Sequence, residues 1–393
     1  MTSSDTVQPT LDRLQRNALV CGVIGVVLVV VLGMRDTQQL FRSYLFAFIY
    51  WISIPLGCTA ILMLHHLTGG WWGLPIRRIL EAGSRTIRLM AILFIPVLFG
   101  MSKLYLWANA AIVQSDPILQ EKRWWLNPTG FVIRYFIYFA VWFLLVGLLN
   151  KWSREQDETG NPELADRMNA ISGPGLVFWG FAVSGAAVDW VMSLEPHWYS
   201  TIYGLLFIAI EALIALSFTL FVLRMLSDFP PIKDSVAPSR FNDLGNILLA
   251  FVMLWAYLSF DQLIITWAGN LKEEIPWYMQ RAFGGWAPVG VALVILHFFV
   301  PFLLLLQRGV KRRLRVLSIV AGWMVLLTLV DIYWIVVPSW DKLSPHVHFI
   351  DIFAVVGIGG LWVAAFAWQL KKLPLLPLHD PRFEGVLQHE HGD

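Results

Sequence analysis

Two cysteines in 393 residues, Cys21 and Cys58, leave this chain short of the ligands that most redox centres need. A four-thiolate iron–sulfur cluster, a disulfide framework and a covalent c-type haem, which takes C-x-x-C-H, are all excluded for the chain by itself. Charge is scarce as well. Lys, Arg, Asp and Glu make up only 14% of residues, and the net balance of +2 is scattered in short clusters, so no basic face for nucleic acid can be drawn. No polar stretch is long enough for a soluble domain; the longest lie around 151–172, around 227–243 and after Lys371. What the chain holds instead is apolar surface: 57% hydrophobic residues, 20 tryptophans and a mean hydropathy of +0.63. That is the composition of an integral membrane protein.

A helix crosses the hydrocarbon core with about 20 mainly apolar residues. Ten runs meet that length, near 18–34, 44–66, 87–109, 129–149, 174–192, 202–226, 244–267, 283–306, 315–338 and 349–370. The expected fold class is therefore an all-α integral membrane protein with ten transmembrane helices, a single polytopic domain over 1–393. No trusted cleavage site follows the polar start, so the first run reads as a retained span. Twenty Lys and Arg fall on the side of the N-terminus against seven on the other, which puts both termini in the cytoplasm by the positive-inside rule. Trp71–Trp72, Trp124–Trp125 and Trp340 fit an interfacial aromatic belt. Pro55, Pro96, Pro288 and Pro301 interrupt spans and predict kinks.

Acids kept within such spans are costly, and each defaults to a functional hypothesis with a partner nearby. Asp189, Asp261, Asp331 and Asp351 fall within roughly 12 Å of the outer ends of their spans, whereas Glu211 and His297 lie nearer the midplane. Tyr257 and Asp261, four apart, share a helix face, as do His348 and Asp351, three apart. A proton relay can be drawn from Glu211 towards Asp189, Asp261 and Asp331, and on to an outer mouth at Glu195 and His197. For the residues near span ends the alternative is a headgroup position reached by snorkelling. Glu211, nine residues into "IYGLLFIAIEALIALSF", must be neutral, paired or facing water; His297 could equally be a hydrogen-bonded core imidazole. Lys103 and Arg134 are either counter-charges to these acids or snorkelling cations.

On the cytoplasmic side, Leu74–Ile87 reads as an amphipathic interfacial helix with Arg77, Arg78 and Arg85 on its polar face. His65 and His66 are candidates for an inner proton-uptake point or for a haem ligand, with His297 as the one deep second ligand. The tail "LQHEHGD" reads as a solvated end.

Three stretches, "MLHHLTGGWWGLPIRRILEA" (63–82), "DWVMSLEPHWYSTIYG" (189–204) and "LSFDQLIITWAGNLKEEIPWYMQR" (258–281), occur in this order on the ten-span chain. Together they resemble the ActF-type NrfD-like membrane subunit of alternative complex III, a quinol:cytochrome c oxidoreductase, within the polysulfide reductase membrane-subunit superfamily. The resemblance covers nearly the whole chain. It implies four-helix bundles with peripheral helices, and a bacterial inner (cytoplasmic) membrane location. It also implies partners: a paralogous NrfD-like membrane subunit, an iron–sulfur subunit, c-type cytochrome subunits and small membrane anchors, with haem and iron–sulfur clusters on those partners only. The expected role is proton conduction and scaffolding for quinol oxidation, with no catalysis by the chain alone. Direct binding of quinol or menaquinol is the first alternative. A proton-coupled secondary transporter and a pure scaffold are the others.

Overall fold

The computed structural model describes residues 4–230, 232, 238–372, 374–377 and 380. Its regular elements are all helical, with no strand among the described residues. Among the described residues ten helices are long and apolar enough to cross a bilayer, so the chain is a multi-pass membrane protein. They are α1 (Val7–Gly33), α2 (Thr37–Thr68), α3 (Arg77–Phe99), α4 (Pro128–Thr159), α5 (Glu163–Leu194), α6 (Tyr203–Leu226), α7 (Arg240–Gly269), α8 (Gly284–Leu306), α9 (Leu314–Ser339) and α10 (Phe349–Leu370). An even number of crossings returns the chain to the side on which it began. An ion pair from Lys371 to Asp12 joins the two ends there, on what is called below the terminal face.

The helices begin and end where local chemistry allows. The Asp36 carboxylate accepts the amides of Gln38 and Gln39 and starts α2. Asn127 accepts the Gly130 amide, with Pro128 in the first turn of α4, and Gly160 closes that helix in the left-handed region at φ 66°. At 32 residues each, α2, α4 and α5 reach about 48 Å, well beyond the hydrocarbon thickness. The runs read from sequence are shorter because hydropathy marks only the apolar part of a helix.

α2 is the most enclosed span, packed against α3, α5, α6, α9 and α10. α6 is next, between α2, α5, α7 and α9. At Gly57 the backbones of α2 and α6 come so close that a Cβ would overlap the Glu211 carbonyl oxygen. α1 and α8 are peripheral and turn Val20, Ile24, Val27 and Val31, and Val291, Ile295 and Phe299, outwards.

Two expectations fail in this part of the chain. Leu74–Ile87 is not an interfacial helix: Arg77–Arg85 opens α3, and every one of its residues is buried. Arg77 and Arg78 spend donors on acids inside the protein, and Arg85 donates to Asn150. The third span also ends at Phe99 rather than 109, broken by Gly100 and followed by short turns at Met101–Leu104 and Leu106–Ala108. Pro288, expected to kink a span, sits in the first turn of its helix, where its missing amide costs nothing. Pro301 follows a π-helical turn, Val294–Phe299, which takes up the irregularity.

Candidate functional site

Glu211 stands nine residues into α6, about 12 Å from the helix start. It is 3% exposed, so it faces protein and not lipid. Its Oε2 is buried with no hydrogen-bond partner, and no cation among the described residues acts on it. Two turns back on the same helix is Tyr203, buried and within electrostatic range of Arg281, Glu195 and Asp331.

Those three belong to the polar layer at the face opposite the termini. Arg281, wholly buried, donates from Nη2 to Glu195 Oε1 at 2.7 Å and to the Ile335 carbonyl at 2.7 Å, and its guanidinium lies over the Trp277 ring. Ser339 donates to the same Glu195 oxygen at 2.9 Å. Burial pushes the Arg281 pKa down, and the Glu195 carboxylate opposes that. Glu195, expected as an outer mouth, is thus clamped between the 275–282 helix and the end of α9.

Asp331 accepts the Trp255 indole at 2.9 Å. The Trp255 ring lies 4.3 Å from that of His297, whose Nε2 faces the Thr328 hydroxyl at 3.5 Å while Nδ1 has no partner. The structure therefore gathers Asp331, Trp255, Thr328 and His297 into one polar island between α7, α8 and α9. The π-helical turn is what carries His297 there.

Asp189 has the fullest shell. Arg134 binds it through Nε at 2.6 Å and Nη2 at 3.0 Å, Tyr138 donates at 2.8 Å and Trp125 at 2.9 Å. Arg134 is thus a counter-charge, stacked 4.3 Å over Trp125. Lys103 is exposed and pairs with no acid among the described residues. Asp189→Asn leaves this guanidinium without its carboxylate, and a loss of about 3 kcal/mol in stability is expected. Arg134→Met/Asp189→Leu should recover most of it, as read by thermal unfolding in detergent.

Other candidates have structural work. Asp351 and His348 form a capping box at the start of α10: the His348 amide donates to Asp351 at 2.8 Å, and His348 Nδ1 accepts the Ile350 amide. Ser43 donates to Asp351 at 2.5 Å, tying α10 to α2. Asp261 is half-buried and Tyr257 is 63% exposed, and the two make no hydrogen bond with each other. His65 and His66 are buried at the terminal end of α2, ring centroids 5.8 Å apart, with His65 edge-on to Trp72. The structure does not bring them together with His297, so the haem-ligand reading finds no matching pair.

His197 is on the surface, paired through Nε2 with Asp116 at 2.6 Å. Partial burial would raise the Asp116 pKa, but the His197 hydrogen bond and the amides of Leu119 and Ile118 lower it below its ordinary value. A lowered carboxylate pKa contributes stability above the ordinary range, lost as pH falls through the folded value. The tether between the 110–121 turns and the 195–202 loop should therefore loosen in acid. His197→Ala should raise the Asp116 titration midpoint, as measured by carboxyl carbon NMR.

The largest polar cluster was not among the candidates. On the terminal face Glu81 accepts from Arg77 at 3.0 Å, Arg78 at 2.7 Å and Ser153 at 2.6 Å. Arg77 also binds Asp380 and Gln156, and Arg78 binds Asp157. The signal was present as Arg-Arg-x-x-Glu, the spacing at which helical side chains meet. From sequence alone the same spacing reads as the polar face of an interfacial helix.

The sequence matches no protein-family model and no curated protein. Among the described residues no three His, Cys, Asp or Glu side chains converge on a metal-sized site. A recess of about 640 Å³ along α8 is lined by Gly284, Ala287, Pro288, Val291, Ala292, Ile295 and Leu296. It offers no polar side chain to a quinone carbonyl.

Proposed function

We propose that this chain is a proton-carrying and scaffolding membrane subunit of a respiratory quinol oxidoreductase of the alternative complex III type. Glu211 is its proton-exchanging group. The observation that carries the reading is the buried Glu211 carboxyl, whose Oε2 has no hydrogen-bond partner and which no cation among the described residues acts on. An unpaired charge at that depth costs several kcal/mol, so a carboxyl kept there is suited to taking up and giving back a proton. From Glu211 the path runs by Tyr203 to the Glu195, Arg281 and Asp331 layer, and Asp189 stays locked by Arg134 as an anchor.

The family assignment rests on the three stretches 63–82, 189–204 and 258–281. With it come the four-helix bundles, the bacterial cytoplasmic membrane, cytoplasmic termini, and the paralogous, iron–sulfur and cytochrome c partners that hold the clusters and haems. Quinol binding within this chain is the alternative: the α8 recess lacks polar side chains, while a smaller one of about 260 Å³ is lined by Lys122, Trp125, Ser193 and Tyr199.

Mild-detergent isolation of the tagged chain is the test. Haem-bearing and iron–sulfur polypeptides should accompany it, together with quinol oxidase activity towards an electron acceptor. A chain that purifies alone and moves a solute across liposomes would overturn the assignment in favour of a transporter.

A further inference from the structure

Arg85 is the member of the terminal-face cluster whose donors are not used up. Its Nε donates to Asn150 at 2.6 Å, and Nη2 comes no closer to Glu81 than 3.7 Å. Both terminal nitrogens are buried without a hydrogen-bond partner, in a residue only 7% exposed. Glu81 reaches Arg85 only as that longer ion pair, its short contacts going to Arg77, Arg78 and Ser153. Three further cations, Arg154 on α4, Arg88 on α3 and Lys372 just past α10, crowd the same corner. All three are exposed. Burial pushes the Lys372 ammonium pKa down, and repulsion from Arg85, Arg154 and Arg88 pushes it further. Its neighbouring carboxylates, Glu81 and Asp157, give those two nitrogens charge but no hydrogen bond, and cations outnumber carboxylates at this corner, so it suits a further anion.

The surface below that corner says which kind. Arg85, Arg88, Ile92, Ile95 and Phe99 follow one another at spacings of three and four, so they lie along one face of α3. Ile92, Ile95 and Phe99 are 63%, 41% and 81% exposed, on a helix that crosses the membrane. Lys372 sits 3.0 Å over the Trp368 ring, an aromatic at the level where headgroups lie. A cationic head above a lipid-facing apolar stripe has the division of a phospholipid, phosphate above and acyl chain below.

We propose that the corner between α3, α4 and the end of α10 on the terminal face binds the phosphate of an anionic membrane phospholipid. Arg85 is the buried anchor, Arg88, Arg154 and Lys372 surround the headgroup, and the Ile92–Phe99 stripe takes an acyl chain. A soluble phosphate would use the same donors but gain nothing from the stripe.

Native mass spectrometry of the full chain in neutral detergent, with any co-isolated partners, separates these sources when it is titrated with phosphatidylglycerol, phosphatidylcholine and inorganic phosphate. The expected result is retention of phosphatidylglycerol over phosphatidylcholine, weakened about fivefold for each charge removed in Arg85→Gln, Arg88→Gln and Lys372→Gln. Arg88 and Lys372 are exposed, so their variants keep the test valid should Arg85→Gln fold poorly. Arg313→Gln, on the connector between α8 and α9, should retain the lipid as wild type does. Equal retention of the two lipids would overturn the proposal. So would displacement by millimolar phosphate as complete as by lipid, or an unchanged affinity in the exposed-site variants.

Discussion

Glu81→Ala should lower the thermal stability of the detergent-solubilised protein by about 3–5 kcal/mol, the cost of leaving buried charges without their partner. The carboxylate is 1% exposed and lies between the guanidiniums of Arg77 and Arg78, with Arg85 at 3.7 Å. Its removal strands positive charge at the junction of α3, α4 and α5. Glu81→Gln keeps one acceptor oxygen and should fall between. The exposed Arg167–Glu163 pair, 4.0 Å apart, supplies the contrast: Glu163→Ala should change stability by less than about 1 kcal/mol. Differential scanning fluorimetry of the three variants decides the matter. A Glu81→Ala shift no larger than that of Glu163→Ala would mean that the cluster is hydrated and carries little of the fold.

The second large effect concerns proton movement. Glu211→Gln keeps the size of the side chain and its place against α2 but abolishes proton exchange there. On the proposed function, transfer through this path in the purified complex reconstituted in liposomes should slow by about 100-fold or more, the usual contribution of a positioned acid–base group. Assembly and quinol oxidation measured without a proton gradient should stay near wild type. Glu211→Asp should restore part of the transfer, and Tyr203→Phe should lower it without touching Glu211. An unchanged ratio of protons released to quinol oxidised in Glu211→Gln would remove the carrier role and leave only the scaffold.

The ten crossings were legible because a bilayer imposes a length and a composition that no other environment demands. Glu211 was legible for the same reason: an acid in the middle of an apolar run is conspicuous. The partners of these residues were not. Nothing in the spacing of Asp189 joins it to Arg134, 55 positions away, nor Glu195 to Arg281, because helix neighbours are chosen by packing and not by sequence distance. Arg77–Arg85 was misread for a related reason. An amphipathic segment looks the same whether its polar face meets water or a buried carboxylate, and only Ser153, Asp157 and Asp380, brought in from elsewhere, tell the two apart. Asp351 is the reverse case: its apolar surroundings make it conspicuous, but its capping role at the start of α10 becomes visible only in the fold.

The seam between α1 and α10 has a consequence for how the chain is made. Gly22 and Gly25 meet Gly357 and Gly360 so closely that a Cβ on any of them would strike backbone, and apart from a touch on α2 this is where α1 is held. α1 is made before α10, so its glycine notch has no seat until α10 is inserted. Bulk added at Gly25 should thus spare insertion of α1 and block its docking on α10, leaving α1 loose from the other described helices.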